Sequence, residues 1–477
     1  LTMLSFMADY ELWGLNGFGY HLQNLFWHLA AVAGVYAFFR TVGLHNLTSF
    51  ICALFFAVHP QRAESVVWIS ERKDVICAAF YFWALVFFLL SQKKEKAKLF
   101  YAFSILFTIL ALISKAMAVS LPLVILFTQI YITKKPDSKC LKKIAPFFAI
   151  ALFFVPIAIL FQDIPQSHIS ILKRMFVVLI NVPWYLLKTF LPFNLSPIYP
   201  RIIMTPAQAA LTILFYIFSA SCLFFYLRKS KGFFFFAKIA FPLCFLFSLA
   251  PVSGFVPLGA IDYADRYSYI PSVFIISFAG VFIDKFFAEG RGKEKTILLS
   301  FLSIYIAVLS GITFFYSETW RSYRAVLESA VLHDPPAYMA LGALADMEFF
   351  SGGRNRVPEL CRRIRERERG WESEGGVKKI LMKADFLELI LYREMGKKAE
   401  AQKKARQLKE TLDSALFPDK KEFLLYKHQD ENIKSVDFVK QENDNLKYPN
   451  DEVVVDSSKN PIDIKNLDNC DIKPKNI

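Results

Sequence analysis

The sequence predicts an all-α fold: a polytopic membrane helical bundle with a C-terminal helical-repeat extension and a disordered tail. Three observations carry this. Of 477 residues, 55% are hydrophobic and 50 are Phe, and the mean hydropathy is +0.36, far more apolar than a soluble domain of that length needs to be. Apolar segments recur at 22–39, 44–58, 75–91, 99–114, 117–133, 144–161, 207–227, 233–250, 267–283 and 297–316, several shorter than a full span and therefore expected to tilt or to thin the bilayer. After Tyr316 the composition turns abruptly soluble.

Residues 1–20 mix Asp9, Tyr10, Glu11 and Trp13 with glycines, which suits an interfacial helix and turn ahead of the first span; Tyr20 and Trp27 fit an aromatic belt. The net charge of +14 does not point to nucleic acid, because the basic residues cluster at the ends of apolar segments: Lys93 to Lys98, Lys134 to Lys143, Arg228 to Lys231 and Lys285 to Lys295. With these four turns cytoplasmic the segments alternate without contradiction. The loops at 59–74, 162–206 and 251–266, and the C-terminal region, then fall on the external or lumenal side. The expected host membrane is a bacterial inner membrane, or the endoplasmic reticulum in a eukaryote. Residues 172–192 are apolar enough to span, yet would invert everything downstream. Lys173, Arg174, Lys188, Pro183 and Trp184 place them instead along the surface or as a re-entrant element. The seven Cys show no CxxC or CxxH spacing, so neither a disulfide framework nor zinc is implied. The chain opens on Leu1 with no leader before the first span, so a start further upstream is expected.

Three regions follow: a membrane domain over 1–317, a helical region over 318–415, and a tail over 416–477, rich in Asp, Asn and Lys and expected to be disordered. In the middle region 320–333, 336–350, 377–392 and 397–412 read as paired helices, with Gly396 at a turn; one or two degenerate tetratricopeptide-like units fit, capped by the membrane domain or a protein partner. Arg362 to Arg369 reads as a solvated helix face.

The densest ionisable run is 59–74, between two apolar segments. Charge is expensive in hydrocarbon, so His59, Glu64, Arg72 and Asp74 mark either an interfacial loop or a site for a charged substrate beside lipid. His21, Asn24 and His28 recur at three- and four-residue spacing on one helix face, where helix-to-helix hydrogen bonding competes with sugar or phosphate recognition. A bis-histidine haem site needs a second histidine-bearing helix at that depth, which the sequence lacks. Lys115 stands alone in a tight turn, placed to snorkel or to bind phosphate. Asp265, Arg266, Tyr267 and Tyr269 follow on the same side, and Arg266 with its two tyrosines fits a lipid-phosphate clamp, since a guanidinium fork matches phosphate oxygens. A general base is open among Glu64, Asp74, Asp262 and Asp265. Walker, GxGxxG, HExxH and GxSxG motifs are absent, which leaves soluble nucleotide chemistry and zinc proteolysis without support.

Residues 14–24 with His28, His59-Pro60 through Asp74, Ser114-Lys115 through Pro122, 191–195 and 265–271, in that order, resemble signatures of the transmembrane and tetratricopeptide-repeat O-mannosyltransferase-like proteins of the GT-C superfamily. The resemblance spans residues 1 to about 350. It implies a GT-C-like glycosyltransferase that moves a hexose, of mannosyl type, from a polyprenyl-phosphate donor to a hydroxyl on a protein or glycan at the external face. The repeats would engage the acceptor, and no cofactor is certain beyond the donor lipid. It also implies an acidic catalytic motif upstream of Leu1, without which this stretch is expected to be inactive; Asp9 and Glu11 do not replace it, and Ala116 stands where many relatives carry an acid. A lipid or glycan transporter and a non-catalytic membrane scaffold are the competing classes. A transporter should show internal repeats and charge at mid-bilayer, whereas these groups lie at one surface.

Overall fold

A computed structural model of the chain describes residues 1–92, 96–134, 138–161, 171–200, 202, 205–228, 233–254, 262–333, 336–368 and 375–413. The tail expected to be disordered, 416–477, lies outside them. Among the described residues every regular element is helical. The α-helices are α1 (Thr2–Trp13), α2 (Gly17–Thr41), α3 (Asn46–Val58), α4 (Ala63–Val67), α5 (Arg72–Leu90), α6 (Ala97–Ser114), α7 (Leu121–Thr133), α8 (Ser138–Phe161), α9 (Ile171–Phe190), α10 (Pro206–Leu227), α11 (Phe233–Leu249), α12 (Pro271–Glu289) and α13 (Gly292–Ser317). Beyond them come α14 (Tyr323–Leu332), α15 (Tyr338–Phe350), α16 (Val357–Glu368), α17 (Gly375–Glu394) and α18 (Lys398–Asp413).

All ten apolar segments form helices. Eight helices among the described residues are long and apolar enough to cross a membrane, and two shorter ones, Asn46–Val58 and Lys238–Val252, complete the set. This architecture is that of a multi-pass membrane protein. Leu211, Phe218, Phe224, Ile297, Phe301 and Phe314 stand exposed along α10 and α13, an apolar surface too extensive for water and suited to acyl chains.

The bundle is built around α5, whose Val75, Ile76, Cys77, Tyr81, Phe82, Leu85 and Phe88 are buried. Helix α2 lies close against it, since a Cβ on Gly34 would stand 3.1 Å from Phe82 Cβ and 3.2 Å from the Trp83 ring. Phe38 meets Phe82, Phe241 and Phe274 at centroid separations of 6.3, 6.5 and 5.9 Å, so α2, α5, α11 and α12 share one aromatic centre. At one end Asp284 of α12 holds the start of α3, accepting hydrogen bonds from the His45 amide at 3.0 Å and the Thr48 hydroxyl at 2.6 Å.

The surface-lying reading of 172–192 falls on α9. With Lys173, Arg174 and Lys188 in it, α9 is not among the eight apolar helices. Asn181 donates to the carbonyls of Ser253 and Asp262 at 2.9 and 3.0 Å, and the Tyr185 hydroxyl to Ala264 at 3.1 Å. Helix α9 therefore buttresses the segment that leads into Asp265 and Arg266.

The C-terminal helices share a second core of Leu327, Ala330, Leu341, Leu344, Phe349, Leu360, Cys361, Ile364 and Leu387. Buried Glu348 is held there by Arg324 at 3.1 Å and by Arg356. Of the charged run on α16, Arg362 pairs with Glu359 and Glu366 on the exposed side, whereas Arg365 turns inward onto Asp385 and buried Glu388, so the run is a solvated face only in part. Gly396 takes φ +71° in the turn between α17 and α18, a conformation that favours glycine.

Candidate functional site

Helices α5 and α12 begin at the ionisable residues and run some 28 Å away from them, at 1.5 Å per residue over 19 residues each. Their other ends lead to basic turns, so the charged constellation gathers at one end of the bundle. Three neighbouring networks make it up.

The first is a buried knot. Arg72, wholly buried, pairs with Asp9 of α1 and donates to Asn24 Oδ1 at 2.7 Å, the Tyr20 carbonyl at 2.9 Å and Ser5 Oγ at 3.3 Å. Its guanidinium lies 4.4 Å from the Phe6 ring centroid. Asn24 in turn donates to the Val66 carbonyl at 3.1 Å. Arg72 and Asn24 thus bind α1, α2, α5 and the loop to one another, and every nitrogen of Arg72 is committed to the protein. Asp9 was legible only as an interfacial polar residue; nothing in the local pattern signals its partner.

The second network ties two histidines into the interior. His59 Nε2 donates to the Thr189 carbonyl at 3.0 Å while its Nδ1 accepts from the Gln61 amide at 3.3 Å, and burial holds its pKa well below the usual histidine value. His28 Nε2 donates to the Ala57 carbonyl at 3.1 Å and Nδ1 accepts from the Tyr269 hydroxyl at 2.5 Å. His21 is exposed on α2, so the polar stripe does not act as a unit. Tyr269 is buried under the Arg62 guanidinium, 5.1 Å from its centroid, and does not flank Arg266. Beside them, fully buried Asp265 accepts from Tyr199 at 3.1 Å, Gln61 at 3.3 Å and Tyr316 at 3.4 Å. Burial, with Glu64 adding to it, pushes the Asp265 carboxyl up to about 7. Asp262 accepts from the Ile202 amide at 3.0 Å.

The third network opens to the outside. Arg266 forks onto Glu64, its backbone amide at 2.9 Å from Oε2 and its Nη1 on Oε1. Its Nε lies 3.7 Å from Glu71. Lys115 Nζ meets Asp74 at 2.5 Å, and Lys73 meets Glu71 at 3.3 Å. Burial alone would lower the pKa values of Arg266 and Lys115; the adjoining carboxylates outweigh it and hold both above the usual ones. The Tyr267 ring lies 5.0 Å from the Arg266 guanidinium and 5.8 Å from the Lys115 ammonium. Trp68 lies 5.7 Å from the same guanidinium and stacks on Trp320 at 5.3 Å.

These groups head a cleft of about 650 Å³, lined at its polar end by Glu71, Lys73, Lys115, Arg266 and Tyr267 and along its wall by Leu112, Ile113, Phe154, Ile157, Ala158 and Val252 of α6, α8 and the turn after α11. An ammonium offers three N–H groups, and the Asp74 contact uses one, so donors remain for an incoming oxygen. The arrangement can hold an anionic head beside an aliphatic tail. Of the residues singled out from the sequence, Lys115, Arg266 and Tyr267 line this cleft, and Glu64 and Asp74 support them. Arg72, His28, His59 and Tyr269 serve the interior. Glu71 and Lys73 were hidden in the charge run. Among the described residues no group of three or more His, Cys, Asp or Glu could hold a metal ion.

No family model matches the chain, and no solved structure matches it. Short stretches are similar to curated proteins. Protein O-mannosyl-transferase TMTC2 of Homo sapiens is 37% identical over 87 residues, 18% of this chain and 10% of the relative. Protein O-mannosyl-transferase TMTC3 of Homo sapiens is 31% identical over 97 residues, 20% and 10%. Protein O-mannosyl-transferase TMTC1 of Mus musculus is 34% identical over 87 residues, 18% and 9%. The matched stretches span about a tenth of the length of each relative, a partial likeness to O-mannosyl-transferases carried by about a fifth of the chain.

Proposed function

We propose that this chain belongs to a membrane glycosyltransferase of GT-C type that transfers a hexose, of mannosyl type, from a polyprenyl-phosphate donor to a hydroxyl of a protein or glycan at the external face. One observation carries the reading: a cleft with Arg266, Lys115 and Lys73 at its head and the apolar sides of α6 and α8 along its wall. An isoprenoid phosphate has that polarity. Its head is an anion that a guanidinium and an ammonium stabilise, and its tail needs a wall continuous with lipid. As the sugar leaves, the phosphate gains negative charge, and cations already in place lower the barrier without reorganising. The names of the partial relatives agree with sugar transfer. The helical region beyond Trp320 is the acceptor-engaging part, a tetratricopeptide-like unit in this reading.

The test is lipid binding by the purified chain in nanodiscs, followed by Trp fluorescence and native mass spectrometry. Polyprenyl phosphate should bind at least tenfold more tightly than the uncharged polyprenol. Replacing Arg266 and Glu64 together by Gln, which avoids a stranded carboxylate, should remove that difference. Equal binding of phosphate and alcohol by the wild type sinks the reading.

A further inference from the structure

One carboxylate that lines the head of the cleft has an oxygen with nothing to accept. Glu71 is 4% exposed and lines the cleft. One of its oxygens, Oε1, faces Lys73 at 3.3 Å and Arg266 at 3.7 Å. The other, Oε2, is buried and has no hydrogen-bond partner. A buried carboxylate oxygen without a donor is costly, and native interiors rarely tolerate one. The neighbouring carboxylates differ: Glu64 takes both an N–H and a guanidinium from Arg266, and Asp74 takes Lys115 and the Ser65 hydroxyl at 3.3 Å. Across the cleft head, Lys73, Lys115 and Arg266 are matched in number by Glu64, Glu71 and Asp74. A further cation is therefore not what Glu71 lacks; a neutral donor is.

We infer that Glu71 turns Oε2 toward the cleft it lines to accept a hydrogen bond from a hydroxyl of the sugar on the carrier lipid, and so makes the cleft prefer the glycosylated carrier over the bare phosphate. This rests on the reading of the cleft as a lipid-phosphate site. The glycosylated carrier is a phosphodiester with one negative charge and a ring of hydroxyl donors next to the phosphate. The bare carrier is a monoester that brings more negative charge and no such ring. With the sugar present Oε2 gains its donor; with bare phosphate it stays unpaired beside an anion. Sites built around a buried polar group reject analogues that lack its partner. Glu71 is a specificity-determining residue in this scheme, and it favours release of the spent carrier after transfer.

The test compares affinities for a hexosyl polyprenyl phosphate and for bare polyprenyl phosphate of the same length, with the wild-type chain and Glu71→Ala in nanodiscs. The expected result is a wild-type preference of roughly ten- to a hundredfold for the hexosyl lipid, collapsing toward equality in Glu71→Ala because the bare lipid binds as well or better. A preference that survives in Glu71→Ala, or wild-type binding of both lipids with equal affinity, overturns the inference and leaves the phosphate site standing. Binding of neither lipid overturns the site itself, and this inference with it. A second measurement needs no variant: across monodeoxy hexosyl carriers, wild-type affinity should drop about tenfold at one hydroxyl position, and uniform affinities refute the assignment.

Discussion

Replacing Arg72 by Met tests whether the knot between α1, α2 and α5 is structural. The substitution keeps most of the side-chain volume and removes the guanidinium. Asp9, wholly buried, then loses its Arg72 counter-charge, and Asn24, the Tyr20 carbonyl and Ser5 lose a donor. Removing one partner of a buried ion pair costs about 3–5 kcal/mol, most of it the penalty on the stranded charge. Converting Asp9 to Leu in the same chain removes that charge, so the double variant should be more stable than Arg72→Met alone, by about 1–3 kcal/mol of coupling. The assay is reversible denaturant unfolding in mixed micelles, followed by far-UV circular dichroism, for wild type, both single variants and the double variant. A cost below about 1 kcal/mol for Arg72→Met, or strict additivity of the two changes, refutes the structural assignment.

Two further outcomes follow from the same geometry. Asp265 titrates near 7 in the folded chain against 3.8 for the ordinary carboxyl, so between those values the native state binds more protons than the unfolded one. Stability should therefore fall as pH rises from about 4 to about 7 and level off above, with a slope of at most about 1.4 kcal/mol per pH unit from this group. Asp265→Asn should flatten that slope in pH-dependent unfolding, and an unchanged profile would show that Asp265 is ionised throughout. At the α2–α5 contact, Gly34→Val should cost about 1–3 kcal/mol through crowding of Phe82 and Trp83, read as a lowered thermal midpoint, whereas Val at exposed Gly17 should leave the midpoint within a degree or two.

The helical architecture was legible because hydrocarbon and water select composition so strongly: the ten apolar segments each reappear as helices. The charged loop was legible for the same reason, since His59 to Asp74 would not interrupt an apolar chain without partners. What the linear pattern could not show was which partner each residue meets. Glu64 and Arg266 are separated by 202 positions, and Arg72 and Asp9 are joined by packing alone. Helical spacing placed His21, Asn24 and His28 on one face, yet burial divides them, because neighbouring helices cover only the inner part of that face. Arg266 and Tyr269 are three residues apart in a tight 3-10 turn, and the turn sends one to the cleft and the other to the interior. Glu71 stood in plain view among other charges; the unpaired oxygen that separates it from Glu64 and Asp74 beside it exists only in three dimensions.

The stacked indoles of Trp68 and Trp320 give the C-terminal helices a lever on the cleft. Trp320 sits between the end of α13 and the Ser322 cap that starts α14, so a twist at that junction would slide one ring across the other. The Arg266 guanidinium rests against Trp68, and its bed shifts with the slide. A displacement of the C-terminal helices would therefore be felt at the head of the cleft through aromatic contact alone.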